Sequence, residues 1–87
     1  MNENLGTKIA TINHFFDHIG VAAMKLDGDL KVGDNIRVKG ATTDFTQTVA
    51  GLQSDHVDLP AAHAGQEVGL KMDDKVREGD GIYLVNA

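Results

Sequence analysis

Histidines and carboxylates are the side chains of this sequence that could hold a metal or move protons. The four histidines are His14, His18, His56 and His63. A metal site would pair the first two across residues 15–17 and add one of the others with Asp55 or Asp58, because zinc accepts nitrogen and carboxylate ligands. The spacing matches no recognised zinc motif, and exposed or capping histidines near turns explain it equally. We therefore predict no metal ligand and no cofactor.

The aspartates are the candidate acids and bases, and there are ten of them. Several stand beside glycine, as Asp27, Asp34 and Asp80 do, where aspartate commonly hydrogen-bonds its own backbone in a turn. No nucleophile and base can be paired in the sequence. We predict no catalytic residue and no enzymatic activity.

Half of the basic residues fall within one short region. These four residues are Lys25, Lys31, Arg37 and Lys39. One interpretation is a small RNA-facing patch with Phe15 or Phe16 as a stacking surface. The other is a solvated outer face whose charge is neutralised by Asp27, Asp29 and Asp34. Both stay open on the sequence alone.

The adjacent aromatic residues Phe15 and Phe16 form a second candidate binding element. Neighbouring side chains of an extended chain point to opposite sides, so the two rings cannot easily enter one core. In one interpretation, one ring covers the core while the other is exposed and anchors a protein partner. In the other, both rings cover the open end of a barrel.

Size and charge narrow the class of protein. The chain has 87 residues, which fits one domain over 1–87 with residues 1–4 as a disordered start. It contains no cysteine, its polar beginning does not read as a signal peptide, and no apolar run approaches the ~18 residues that span a bilayer. We expect a cytoplasmic protein without a membrane partner.

Thirteen acidic and 8 basic side chains give a net charge of −5, which argues against broad nucleic-acid binding.

A glycine followed by alternating apolar and polar residues recurs three times. The copies begin at Gly33, Gly65 and Gly79, each with isoleucine or valine three residues later and valine or leucine five residues later. Alternation is typical of strands with one buried face, and glycine suits an entry turn with positive φ. The pattern predicts a small all-β domain.

Six strands are predicted in total. Their approximate ranges are 5–14, 19–26, 34–40, 45–54, 67–72 and 81–85. Ile9 and Ile12 fall on opposite faces of the first strand, so a bulge there, or one isoleucine over an open barrel end, is expected. A second bulge at Ala50 and Gly51 would return Leu52 to the core. Pro60 excludes a central strand in the irregular stretch 55–63.

Specific segments resemble the second domain of the translational GTPases, the β-barrel of elongation factor Tu. The shared segments are Leu-Lys-Val-Gly-Asp at 30–34, Val-Ala-Gly-Leu at 49–52, residues 64–70 and Arg-Glu-Gly-Asp at 77–80. The sequence is still more similar to the C-terminal barrel of the collagenase-like peptidase family, which includes RNA-hydroxylation proteins. Residues 19–22, 40–45 and 76–80 carry that likeness. Both resemblances imply a closed, six-stranded antiparallel barrel of Greek-key type.

The resemblance also implies a binding module and not an enzyme. The phosphate-binding loop of GTPases is missing, so no GTP binding is expected. In elongation factor Tu the barrel holds the aminoacyl end of tRNA, and the contacting positions match Gln53, His56 and Glu67. An acidic residue, an arginine and an asparagine stand there in the family. Histidine at position 56 lacks the planar guanidinium group with which arginine binds phosphate. The carboxylate of Glu67 would repel a phosphate.

Two functions follow as hypotheses. The first is a non-catalytic module linked to translation or RNA modification that contacts RNA or a ribonucleoprotein. The second is a protein adaptor that docks on a separately encoded catalytic or GTPase subunit. The first requires the basic residues on one face with few aspartates among them, whereas the second requires an exposed apolar patch.

Overall fold

The computed structural model describes residues 6–85 and contains ten β-strands. They are β1 Thr7–Phe16, β2 Val21–Leu26, β3 Leu30–Lys31, β4 Asn35–Lys39, β5 Asp44–Thr48, β6 Leu52–Ser54, β7 Val57–Asp58, β8 Ala61–Ala62, β9 Glu67–Lys71 and β10 Gly81–Leu84. No helix occurs in this described range, so the all-β prediction is confirmed. The predicted disordered start at residues 1–4 lies outside the described residues.

Eight strands form one antiparallel sheet in the order β5-β4-β10-β1-β2-β9-β6-β7, and β3 pairs separately with β8. The sheet is open within residues 6–85, because no ladder joins β5 to β7. The predicted closed barrel of six strands is therefore not what the hydrogen bonding shows. The higher strand count arises because the predicted fourth strand divides into β5 and β6, and because three two-residue strands form in the loops.

The first strand carries two irregularities that bring both isoleucines inward. Its pairing with β10 shifts between Lys8 and Ala10, and its pairing with β2 shifts between Ile12 and His14. Ile9 and Ile12 are both buried as a result. A bulge in this strand is confirmed, but it lies at Ile9 itself, between Lys8 and Ala10, and not between the two isoleucines.

The core forms from the inward face of each alternating strand. Its largest fully buried side chains are Ile12, Met24, Leu26, Leu30, Ile36, Val38, Val49, Leu52, Leu70 and Ile82. Burying such side chains contributes about 1.5–3 kcal/mol each relative to exposure. Val32 is 44% exposed, because it occupies the outer corner of a tight turn.

The three repeated glycine turns share one hydrogen-bonding arrangement. In each, the residue after glycine donates its N–H to the carbonyl three residues earlier: Asp34 to Lys31, Gln66 to His63, and Asp80 to Arg77. Its side-chain oxygen accepts the N–H of that same earlier residue, at 3.0, 2.6 and 2.9 Å respectively. The glycines have φ of 97°, 93° and 93°, as a type II turn requires.

The break between β5 and β6 moves the chain from one end of the sheet to the other. The N–H of Val49 donates to Asp34 on the β4 side, whereas the carbonyl of Gly51 accepts from Lys71 on β9. Leu52 is buried, as predicted, but the chain leaves the strand at Ala50 and Gly51 where only a bulge was predicted. The buried side chain of Gln47 on β5 makes a second contact with β9, because its Nε2 donates to the carbonyl of Lys71.

The remaining boundaries differ from the predictions in small ways. Residues 15 and 16, expected in a turn, extend β1, and β2 begins at Val21 because residues 17–20 form the turn. The irregular stretch contains β7 and β8, while the carbonyl of Pro60 accepts the N–H of Val32 at 3.0 Å. The described part of the chain has no helix of the length and apolarity that a bilayer span needs.

Candidate functional site

A groove of about 400 Å³ lies between the turn at residues 17–20 and the β6–β7 hairpin. Side chains and backbone from β1, β2, β6 and β9 contribute to its walls. Four of the residues predicted as binding residues line it: Phe16, Gln53, His56 and Glu67. They come from three separate segments of the sequence, so the fold alone brings them together.

The floor of the groove is open because two facing positions carry almost no side chain. Ala23 on β2 pairs with Gly69 on β9, and Gly69 pairs with Gln53 on β6. A methyl group at Gly69 would stand 3.0 Å from Cγ1 of Val21 and 3.6 Å from Cγ of Gln53. The small residues therefore keep a depression between larger neighbours.

The apolar rim consists of Phe16 and Ile19, which are 46% and 59% exposed. Their positions are fixed by a tight turn, since the N–H groups of Ile19 and Gly20 both donate to the carbonyl of Phe16. The ring of Phe16 also meets that of His14 edge to face, with centroids 4.4 Å apart. Phe15 packs against the core. Phe15 thus covers the core while Phe16 is exposed, as one of the two interpretations predicts; that Phe16 anchors a protein partner stays a prediction.

The opposite wall is a two-residue hairpin loop in an unusual conformation. Asp55 and His56 have φ of 52° and 65°, the left-handed values of a type I′ turn. Asn-Gly or Asp-Gly is the usual sequence there, since an L side chain in this region costs about 1–2 kcal/mol. The hairpin keeps a strained histidine at the groove.

Replacing His56 with glycine should raise the free energy of unfolding by about 0.5–1 kcal/mol, because glycine adopts this conformation without strain. Urea denaturation of purified protein measures the change. His63→Gly is the matched control, as His63 is also exposed but has no positive φ, and it should not stabilise the fold. Equal effects of the two substitutions would contradict the strain at His56.

The polar part of the groove is acidic. Asp55 and Glu67 line it, together with the neutral side chains of Gln53 and Ser54. The hydroxyl of Ser54 donates to the carbonyl of Glu67 at 3.1 Å, tying β6 to β9. Among the described residues that line the groove, none is lysine or arginine.

The four predicted basic binding residues lie apart from the groove lining, and three of them are paired with aspartates. Nε of Arg37 lies 2.8 Å and Nζ of Lys39 lies 3.3 Å from the carboxylate of Asp44. Nζ of Lys31 contacts the buried Asp34 at 2.7 Å. Lys25 stands opposite Glu67 in the β2–β9 register. The structure thus neutralises most of the basic region, partly through Asp44, which the sequence did not single out.

Hydrogen bonding by Arg37, with a further contribution from Lys39, lowers the pKa of Asp44 from 3.8 to about 2. The folded state therefore binds this proton less readily than the unfolded state. The stabilisation is fully present above the unfolded pKa and is lost as the pH falls from there through the folded value. We expect Asp44→Asn to flatten the decline of stability over this acidic range, measured by urea unfolding at several pH values. An unchanged slope would contradict the assignment.

The histidines do not converge. His14 contacts Glu78 at 3.0 Å, His63 lies 3.6 Å from Asp29, and the side chain of His18 is fully exposed. His56 lines the groove. Across residues 6–85, no three histidine, aspartate or glutamate side chains are grouped so that they could hold a metal ion.

Several groove residues were missed by the sequence reasoning. The sequence pattern predicts a strand at Ile19, and it does not distinguish Ala23 and Gly69 from other strand positions. A signal for the floor is visible in hindsight, because Ala23 and Gly69 occupy outward positions of strands whose other outward residues are large or charged. Their facing each other depends on strand register, which the sequence does not state.

Comparisons with known proteins find one curated relative and solved structures of the same fold. An uncharacterized protease of Methanocaldococcus jannaschii is 38% identical over 79 residues, which are 90% of this chain. The chain spans only 19% of the length of that relative. No family model matches the sequence.

Solved structures with the same fold include the C-terminal domain of a Geobacillus thermoleovorans protein classed as a U32 peptidase. It superposes with a TM-score of 0.84 at 18% identity and covers 99% of both chains. Its selenomethionine variant gives 0.82 at 20% identity, over 87% of this chain and 96% of that one. The predicted likeness to the collagenase-like peptidase barrel is thereby supported at the level of the fold. The likeness to elongation factor Tu stays a prediction.

Proposed function

We propose that this chain is a non-catalytic docking module and that the groove between the turn at residues 17–20 and the β6–β7 hairpin binds a protein partner. One observation carries the proposal: the groove combines an open apolar floor with an exposed aromatic rim and a strained hairpin. Exposed apolar clusters rimmed by polar groups mark interaction sites. Exposed aromatic residues such as Phe16 are frequent anchors of such interfaces.

A protein partner fits the charges better than RNA does. Nucleic-acid binding depends on lysine and arginine contacts to phosphate. Here Arg37 and Lys39 already face Asp44, and Lys31 faces Asp34. The charged side chains Asp55 and Glu67 at the groove would repel a phosphate backbone. RNA contact, linked to translation or RNA modification, remains the alternative that the test below separates.

The partner that we propose is the catalytic part of a peptidase of the U32 type. The solved domain with this fold belongs to a protein classed in that group, and the related protease is far longer than this chain. A module of this size, in which we identify no nucleophile and base, would position the catalytic part or its substrate. It would not cleave a peptide bond itself.

Affinity purification with the 87-residue chain as bait tests the proposal. Ala23→Trp fills the groove, and Thr46→Trp is the matched control at an exposed position on β5. We expect a peptidase-type chain to bind the wild type and Thr46→Trp, to survive nuclease treatment, and to be lost with Ala23→Trp. Circular dichroism confirms that both variants fold.

Three results would overturn the proposal. Capture that disappears with nuclease would mean that RNA is the ligand. Capture that Ala23→Trp leaves intact would place docking outside the groove. Hydrolysis of casein by the purified chain would show that it is an enzyme.

A further inference from the structure

We infer that the groove recognises an extended peptide segment in which an arginine or lysine is flanked by apolar residues, with Glu67 and Asp55 as the specificity-determining groups. This inference rests on the function proposed above and adds the chemistry of the partner. It follows from how charge and apolar surface are distributed around one depression.

The apolar half of the groove suits a long aliphatic side chain. Val21, Ala23 and Gly69 form the floor, and Phe16 and Ile19 the rim. Lysine and arginine lay their methylene stems along such surfaces while the charged head stays in water. A cation over the exposed ring of Phe16 gains an additional attraction from the aromatic face.

Two carboxylates line the groove, and no lysine or arginine does so among the described residues. Lys25 stands opposite Glu67 in the β2–β9 register but does not line the groove. Glu67 and Asp55 are both exposed and both line the groove. Neither belongs to any ion pair formed among residues 6–85. Within the groove, therefore, both carboxylates are available to an incoming cation. The net charge of −5 also favours the approach of a basic segment.

The size of the groove argues for a peptide segment and not for a folded surface. A volume of about 400 Å³ is near the lower end of the roughly 300–1,000 Å³ typical of ligand sites. Such a space accommodates a short run of side chains. An acidic segment would meet two like charges there, and like-charge juxtaposition excludes wrong partners.

Four synthetic peptides test the inference on the isotope-labelled 87-residue chain. Each is Gly-Ser-Leu-X-Leu-Ser-Gly with blocked ends, where X is arginine, lysine, norleucine or glutamate. Titration followed by amide chemical shifts gives both the affinity and the residues affected. We expect the arginine and lysine peptides to bind about tenfold more tightly than the norleucine peptide, the glutamate peptide to bind more weakly still, and the shifts to centre on Phe16, Glu67 and Gly69.

Matched charge variants separate recognition from a general charge effect. Glu67→Gln removes a charge inside the groove, and Asp27→Asn removes one in an exposed turn outside it. Glu67→Gln should weaken the arginine peptide about tenfold and leave the norleucine peptide unchanged. Asp27→Asn should change neither by more than about twofold, because Asp27 does not line the groove and interactions between exposed charges without a direct contact are weak.

Three outcomes of the peptide titrations would overturn the inference. These outcomes are an affinity order that ignores the charge of X, equal effects of the two variants, or no binding of any peptide at millimolar concentration. The function proposed above fails separately, through the capture experiment with Ala23→Trp. A partner lost with Ala23→Trp but unaffected by Glu67→Gln would leave groove docking intact and reject the basic segment.

Discussion

Replacing Gln47 with alanine should lower the free energy of unfolding by about 2–3 kcal/mol, because two partly buried backbone groups would lose their partner. Nε2 of Gln47 donates to the carbonyl of Lys71 at 2.9 Å, and Oε1 accepts the N–H of Asp73 at 2.8 Å. The N–H of Lys71 donates to the carbonyl of Gly51. The side-chain amide of Gln47 takes the place of a backbone peptide group for the next two backbone groups, the carbonyl of Lys71 and the N–H of Asp73. It is 6% exposed, so water cannot readily replace it.

Urea denaturation of the alanine variant measures this loss, and Gln53→Ala provides the control. Gln53 is the same residue type on β6, the next strand along the chain, but it is only half-buried. We expect its replacement to change stability by no more than about 0.5 kcal/mol, as is usual for surface positions. Similar losses for both variants would mean that the Gln47 amide does not join β5 to β9.

Replacing Gly40 with alanine should cost about 3 kcal/mol, combining overpacking with the loss of a turn cap. A methyl group there would collide with the carboxylate of Asp80, whose Cγ would be only 2.6 Å away. Asp80 is buried and accepts the N–H of Arg77 at 2.9 Å. Moving its carboxylate would release the turn that leads into β10.

A double-mutant cycle separates this collision from an ordinary glycine effect. Asp80→Ala alone should destabilise the turn, but Gly40→Ala added to it should cost little more, because the colliding oxygens are gone. Gly69→Ala is the control, since its nearest neighbour is the movable Cγ1 of Val21. Thermal unfolding followed by circular dichroism provides the values, and additive losses at Gly40 and Asp80 would exclude the collision.

Local patterns in the sequence were sufficient to predict most strands. The three glycine turns, an irregularity near Ile9 and the inward position of Leu52 all follow from alternation and backbone freedom. The division of the predicted fourth strand into β5 and β6 does not, because the sequence pattern predicted only a bulge there. The side-chain caps of these turns were not predicted, because aspartate beside glycine explains a turn without specifying which N–H it accepts. The hydrogen bond that the three turns share joins the side chain of one residue to the N–H of the residue three positions earlier. Only the three-dimensional structure shows this contact.

Longer-range features were not accessible in the same way. Gln47 shares the inward phase of Phe45 and Val49, which marks it as a buried polar residue, but its partners lie on β9. The pairing of Asp44 with Arg37 depends on the β4–β5 register. Conversely, the resemblance singled out Gln53, His56 and Glu67 without showing that Phe16 lies beside the same groove. The sheet is open because no hydrogen-bond ladder joins β5 to β7. The pattern of apolar and polar residues does not encode where such a ladder ends.

The central place of β1 has a consequence for synthesis on the ribosome. This strand pairs on one side with β2, which follows it immediately, and on the other with β10, as in the contact of Thr7 with Leu84. The nascent chain can form the β1–β2 hairpin early, but the second edge of β1 stays unsatisfied until β10 leaves the exit tunnel. Contacts between such distant segments slow folding, so the half-made domain exposes a strand edge that chaperones can bind throughout translation.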